Sequence, residues 1–312
     1  MQSAPLFAEI ARGPEGGSAF WITARDGLRL RAGHWPPPGA ARGTVLLLPG
    51  RSEYIEKYGP TAAALGAQGW HLLVIDWRGQ GLSDRLHPDP LRGHVADFRD
   101  YQQDVQALLA LARNLDLPEP LHLISHSMGG CIALRALHEG LPVRSAVFSA
   151  PMWGIQLLPT LQPLAATVSR LAHDRGLGHR LTPTTSRQSY ISHVSFRRNL
   201  LTRDAEMFQW LRQHVTAHPE LALGGPSLSW LHAALSECKA LAMLASPALP
   251  AVTALGTRER IICPRSIRRR MASWPGGRLD LYLRAEHEVI METAPHRDRF
   301  HHSAAALFEA HA

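Results

Sequence analysis

The sequence predicts an α/β fold in which a mostly parallel central sheet is flanked by helices and a helical segment is inserted between two sheet strands. Three observations predict it. Short apolar runs without polar alternation, the pattern of strands buried on both faces, recur between stretches with helical periodicity. One such run, residues 121–125, leads into a serine boxed in by small residues and then directly into a helical pattern. Over residues 150–246 the alternation of strand and helix stops, and it resumes afterwards.

The elements follow in order. Residues 19–24 and 28–34 read as a hairpin about the tight-turn pair Asp26-Gly27, with Leu28 and Leu30 alternating with arginine methylenes. Trp35-Pro36-Pro37-Pro38-Gly39 breaks the pattern. Residues 44–48 and 71–75 are two buried strands separated by a helix over 58–67. A long helix is expected over 95–115, because Phe98, Tyr101, Val105, Leu108, Leu109 and Ala112 fall on one stripe of period 3.6. After the serine, Cys131, Ile132, Leu134, Ala136 and Leu137 continue a buried helix. Residues 145–149, 251–255 and 279–283 supply three further strands, and a helix over 296–310 closes the chain.

The domain reading is therefore a core of residues 1–150 and 246–312 with a helical cap over 151–245. The insertion holds Met152, Trp153, Ile155, Leu157, Leu158, Leu161 and Leu164, then a polar basic segment, a helix over 204–216 and the turn Gly224-Gly225-Pro226. It reads as an ordinary helical subdomain or as a lid whose apolar inner face holds a substrate chain, and both can be true. An insertion between sheet strands lies beyond the carboxyl ends of the strands, where such sheets bind ligands. Trp153 and Leu157 are the candidate substrate contacts.

Composition narrows the class. With 312 residues, 45% of them hydrophobic, the chain can bury a sizeable core. Its three cysteines, Cys131, Cys238 and Cys263, are odd in number and lack metal spacing, so a reducing cytoplasm fits, and Cys131 reads as a small buried hydrophobe. Residues 1–13, with Glu9 and Arg12, have no signal-peptide pattern, and no stretch reads as a membrane span. The formal charge of +7 comes mostly from scattered arginines. Nucleic acid is not expected as a partner, and the densest cluster, Arg265, Arg268, Arg269 and Arg270, reads as a solvated face, with peripheral contact to an anionic membrane as the alternative. His214 and His218 have helical spacing but lack the glutamate of H-E-x-x-H and run into Pro219, so they read as surface histidines; no metal is expected.

The chemistry centres on Ser127. A serine hydroxyl is a weak nucleophile unless a sharp strand-to-helix turn exposes it and a histidine takes its proton. The turn G-x-S-x-G does this, and the residue after the serine, here Met128, donates a backbone N–H to an oxyanion hole. Ser125 replaces the first glycine, while Gly129 is intact and Gly130 follows. This order requires an acid and then a histidine downstream. Glu259 follows the strand at 251–255, and His287 follows the strand at 279–283.

With these residues the chain resembles the α/β-hydrolase family of serine lysophospholipases and monoacylglycerol lipases, above all its bacterial lysophospholipase L2-like branch. Leu48-Pro49-Gly50-Arg51-Ser52-Glu53-Tyr54-Ile55-Glu56-Lys57-Tyr58 looks like the family's oxyanion loop, which implies that Arg51 supplies the second N–H. Asp76-Trp77-Arg78-Gly79-Gln80-Gly81-Leu82-Ser83 looks like its D-x-R-G-x-G-x-S turn, which shapes the site. Glu259 stands where the wider family has aspartate and resembles the acid of this branch. Residues 201–204 and 224–230 look like its cap segments. The resemblance implies an α/β-hydrolase fold and a cofactor-free serine carboxylic-ester hydrolase that acts on single-chain lipids through an acyl-enzyme. A small-ester esterase, a thioesterase, a peptidase, a carbon–carbon hydrolase and a catalytically silent ligand-binding protein stay open. Dehalogenase and epoxide hydrolase chemistry is disfavoured, because it needs a carboxylate where this chain has Ser127.

Overall fold

The computed structural model describes residues 2–157, 160, 162–183 and 185–312. Nine strands form one sheet: β1 (Gln2–Ser3), β2 (Ser18–Thr23), β3 (Arg29–Trp35), β4 (Gly43–Leu48), β5 (Trp70–Asp76), β6 (Leu121–His126), β7 (Ala146–Ser149), β8 (Ala251–Gly256) and β9 (Gly277–Tyr282). Their order is β1-β2-β3-β5-β4-β6-β7-β8-β9. The pairings from β1 to β5 are antiparallel, and those from β5 through β4 to β9 are parallel. The hairpin turns where Gly27 adopts a positive φ of 87°, which costs a side chain without a Cβ little.

Every residue of β4, β7 and β8 is buried, which explains their unalternating apolar sequence. Alternate residues still serve different layers. Leu46 and Leu48 pack into one core on one face of the sheet, and Val45 and Leu47 into a second core on the other.

The helices are α1 (Ala8–Ala11), α2 (Gly59–Gly66), α3 (Tyr101–Asn114), α4 (Met128–His138), α5 (Gln162–Asp174), α6 (Tyr190–His193), α7 (Ala205–Ala217), α8 (Leu228–Ala242), α9 (Pro264–Met271) and α10 (Ala294–Glu309). The chain leaves the sheet after β7, runs through α5 to α8 and re-enters it at β8. Leu158 and Leu161, part of the expected apolar stretch, lie outside the described residues. Among the described residues no helix is long and apolar enough to cross a membrane.

Three expectations need correction. The helix expected from residue 95 begins later, with a 3-10 turn at Phe98–Asp100, because the Asp97 side chain accepts from Arg99 N and sets the start there. His214 is not a surface residue. It is fully buried on α7, 4.4 Å from the Trp210 ring at an edge-on angle, and burial lowers its pKa to about 4. Arg270 departs from the solvated face expected for its cluster: it is 8% exposed, with its guanidinium 5.6 Å over the Trp153 ring.

Candidate active site

Four loops at the carboxyl ends of β4, β6, β8 and β9 build the site. Ser127 sits between β6 and α4 with φ 49° and ψ −116°, a strained conformation for a residue with a Cβ. The turn is locked from both sides. Ser127 N donates to Ser149 O at 3.0 Å, and Ser127 O accepts from Met152 N at 2.8 Å and Gly130 N at 2.9 Å. Gly129 is required by close approach, since a Cβ there would lie 2.1 Å from the Leu48 carbonyl oxygen. Ser125 is fully buried, and its hydroxyl has no hydrogen-bond partner among the described residues.

Glu259 and His287 meet Ser127 from the loops after β8 and β9, two and three strands along the sheet from β6. His287 Nε2 is 2.9 Å from Ser127 Oγ, and His287 Nδ1 is 2.6 Å from Glu259 Oε2. The other carboxylate oxygen of Glu259 accepts from Ile261 N at 2.6 Å and Ile262 N at 3.1 Å, so the acid is held rigidly. The acid and histidine loops approach closely at Gly256, where a Cβ would lie 2.2 Å from the Glu286 carbonyl. Burial works against a charged imidazole at His287, but the adjacent Glu259 carboxylate outweighs it and raises the pKa above 6.5. Burial alone would raise Glu259, and the charge and hydrogen bond of His287 reverse the sign. An imidazole held this way can take a hydroxyl proton and carry the resulting charge.

Arg51 lies in the loop after β4. The N–H of Ser52 is taken by Gln80 Oε1 at 2.6 Å and that of Gly50 by the Glu53 carboxylate, whereas the backbone N–H groups of Arg51 and Met128 meet no acceptor among the described residues. The turn after β5 braces this loop through Gln80 and through Asp76, which accepts from Ile55 N at 2.8 Å. The Arg51 guanidinium donates to the Gly224 carbonyl and sits 5.4 Å over the Trp230 ring.

Two cavities meet at Arg51, Ser127 and Ile261. One, of about 590 Å³, is walled by apolar side chains including Met152, Leu157, Leu164, Val168 and Leu231. The other, of about 350 Å³, reaches a polar floor of Glu53, Lys57, His126 and Glu288. Leu157, a candidate substrate contact, is on a cavity wall. Trp153 is not: it is 4% exposed, stacks on Trp274 with ring centres 5.7 Å apart and donates from Nε1 to the Gly130 carbonyl. The indole belongs to the core that also holds Cys131, Ile132 and Leu134 of the elbow helix.

The polar floor was not anticipated. Lys57 Nζ lies 2.6 Å from Glu53 Oε1 and 2.8 Å from Glu288 Oε2, and Tyr58 donates to Glu53. Burial opposes the charges of Glu53 and Lys57, yet Glu53 falls to about 2 because of the Lys57 ammonium, and Lys57 rises because of the Glu288 and Glu53 carboxylates. Burial pushes His126 down to about 3, so it stays neutral 4.8 Å from the His287 ring. Glu53, His126 and Glu288 bring possible metal-ligand atoms within 4.8 Å of one another, but the Lys57 ammonium already supplies a cation to both carboxylates. The i,i+4 spacing of Glu53 and Lys57 was a visible signal, and their meeting with Glu288 was not.

The profile of the family described as "Serine aminopeptidase, S33" matches residues 39–294. The chain belongs to that family. It is a serine hydrolase with the α/β-hydrolase fold. The chain is 28% identical over 276 residues to a probable lysophospholipase L2 of Haemophilus influenzae, covering 87% of this chain and 86% of the relative. It is 29% identical over 277 residues to lysophospholipase L2 of Escherichia coli, covering 86% and 80%. Among solved structures it resembles a soluble variant of monoglyceride lipase from Saccharomyces cerevisiae in complex with a substrate analog, with TM-score 0.72, 20% identity, and 93% and 94% of the two chains covered.

Proposed function

We propose that this enzyme cleaves the carboxylic ester of single-chain lipids, lysophospholipids or monoacylglycerols, through an acyl-enzyme. Ser127 attacks the ester carbonyl, His287 takes its proton and returns one to the leaving alcohol, and Glu259 holds the imidazole and stabilises its charge. The backbone N–H groups of Arg51 and Met128 receive the oxyanion, and water then releases the acid. The reading needs no cofactor.

The observation that carries it is the meeting at Ser127 of an apolar cavity with a second one whose side walls include Leu200, Leu211 and Val215 and whose floor carries charged groups. An acyl chain in the first and a polar alcohol in the second place the bond between them at the hydroxyl. Residues 151–245 act as the cap, with Leu157, Leu164 and Val168 against the chain. Leu164, Val168 and Leu171 on α5 are 58%, 41% and 39% exposed, which suits peripheral contact with a membrane. The names of the relatives support the same substrate class. Aminopeptidase action would require an anion near the acyl side to hold an α-ammonium. The only ionisable side chain on the described apolar wall is Arg51, a cation.

A fluorophosphonate probe followed by a substrate panel tests this. Labelling at Ser127, with hydrolysis of monoacyl lipids well above that of aminoacyl anilides, is the expected result. Absence of labelling, or a preference for aminoacyl anilides, overturns it.

A further inference from the structure

On the far side of Trp153 from the elbow, α8 and α9 enclose a third cavity, of about 130 Å³, lined by Ser246, Ser266, Ser273, Arg269, Arg270, Leu244 and the indole itself. No carboxylate lines it. Arg270 is more than nine-tenths buried, and its polar contacts are a bond to the Leu241 carbonyl in the last turn of α8 and a long one, 3.4 Å, to Ser246 Oγ. Its Nε has no protein partner among the described residues, and neither Arg269 nor Arg270 forms an ion pair there. The nearest acid on α8, Glu237, is committed to Arg135 at 2.7 Å.

A buried cation without a counter-ion is costly, and the carbonyl at one helix end together with the face of Trp153 offsets only part of that cost. Two guanidiniums and the hydroxyls of Ser246 and Ser266 line one small cavity, while Ser273 Oγ already donates to the Arg270 carbonyl, and they form a donor set suited to phosphate oxygens, since arginine presents paired N–H groups at phosphate spacing. We infer that this cavity binds the phosphate of a mono- or diester, with Arg270 as its buried anchor and Arg269 closing over it. Leu244 on the lining is 40% exposed and its chain neighbour Met243 82% exposed, so the phosphate can be presented either by a soluble ester or by a lipid headgroup whose acyl region meets those side chains. The site is separate from Ser127 and independent of the ester-hydrolase reading.

The test uses the full chain and reads binding. Glycerol 3-phosphate and inorganic phosphate are titrated calorimetrically, and vesicles of phosphatidylcholine with and without phosphatidylglycerol are sedimented with the protein. Saturable binding of a soluble phosphate or of the anionic vesicles is expected, weakened at least about tenfold by Arg269→Gln and by Arg270→Gln. Arg269 is exposed and its side chain forms no hydrogen bond or ion pair among the described residues, so its variant should keep the wild-type thermal midpoint and guard against an unfolded Arg270 variant. If lipid is the source, Met243→Ser weakens vesicle binding alone and glycerol 3-phosphate displaces the vesicles. If the source is soluble, the phosphates bind and anionic vesicles do no better than neutral ones. Failure of every probe to saturate up to about 10 mM, or binding unchanged in Arg269→Gln, overturns the site.

Discussion

The two cavities beside Ser127 share three residues and are built by opposite means. The smaller one has a floor of charges compensated in place, with the Lys57 ammonium within 2.8 Å of two buried carboxylates. The apolar one rests on side chains that need only fill space, such as Leu157, Val168 and Leu231. Directional pairs fail all at once when one member is removed, because a buried charge is left alone. Non-directional contacts fail by degrees, in proportion to the area lost. Substitutions along the polar wall should therefore act as switches, and those along the apolar wall as dials.

The largest effect should come where the cavities join. Ser127→Ala should cut ester hydrolysis by about 10⁵-fold or more while leaving the far-UV spectrum unchanged. A purified variant that keeps more than a few per cent of the activity would show that another group attacks the ester.

Next comes the acid behind the histidine. Glu259→Gln should lower turnover roughly 10³- to 10⁴-fold, because the amide cannot stabilise an imidazolium. The pH profile sharpens this. A protonated His287 cannot accept the serine proton, so wild-type activity should fall as pH drops through a pKa above 6.5. Without the carboxylate, burial dominates and the acid limb should move to lower pH. A limb that stays in place means that another carboxylate, with Glu286 and Asp280 nearest in sequence, sets the titration.

The switch itself is tested by Lys57→Met, which leaves Glu53 and Glu288 facing each other in the interior and should cost about 3–5 kcal/mol in urea unfolding. Adding Glu288→Gln should recover part of that loss. Equal stability of wild type and the single variant would mean that the pair is already hydrated.

The dial gives the smallest steps. On p-nitrophenyl esters each methylene should add up to about 0.8 kcal/mol, roughly fourfold in kcat/KM, until the apolar cavity ends. Leu157→Asn should flatten that climb and spare acetate. Trp153→Ala should instead lower stability by about 3–5 kcal/mol and leave the chain-length profile alone, because the indole packs on Trp274 and not on the cavity wall. If acetate is the best substrate, the single-chain lipid reading gives way to a small-ester esterase or thioesterase.

Much of the sheet could be read from the chain because its rules are local. A strand buried on both faces must be apolar throughout, so β4, β5, β6 and β8 stand out, and a loop after each parallel strand must fall at the same end of the sheet. The meeting of Ser127, Glu259 and His287 follows from that geometry, as does Gly129 at the elbow. Trp153 was misjudged because an indole reads the same in sequence whether it faces a substrate or a core. His214 was misjudged because helical spacing does not say which face of α7 is covered.

Backbone propensity and hydrophobic period, properties of residues near one another in the chain, were enough for the order of strands and helices, the elbow and the positions of the acid and the histidine. Only the folded chain could join residue 53 to residue 288, because the loops that carry them follow β4 and β9, strands separated by β6, β7 and β8 in the sheet, and meet only beyond its carboxyl end. The same holds for the two cavities and for the anchored Arg270. Each is defined by what is excluded from a space that several distant segments enclose, and no single stretch of sequence carries that information.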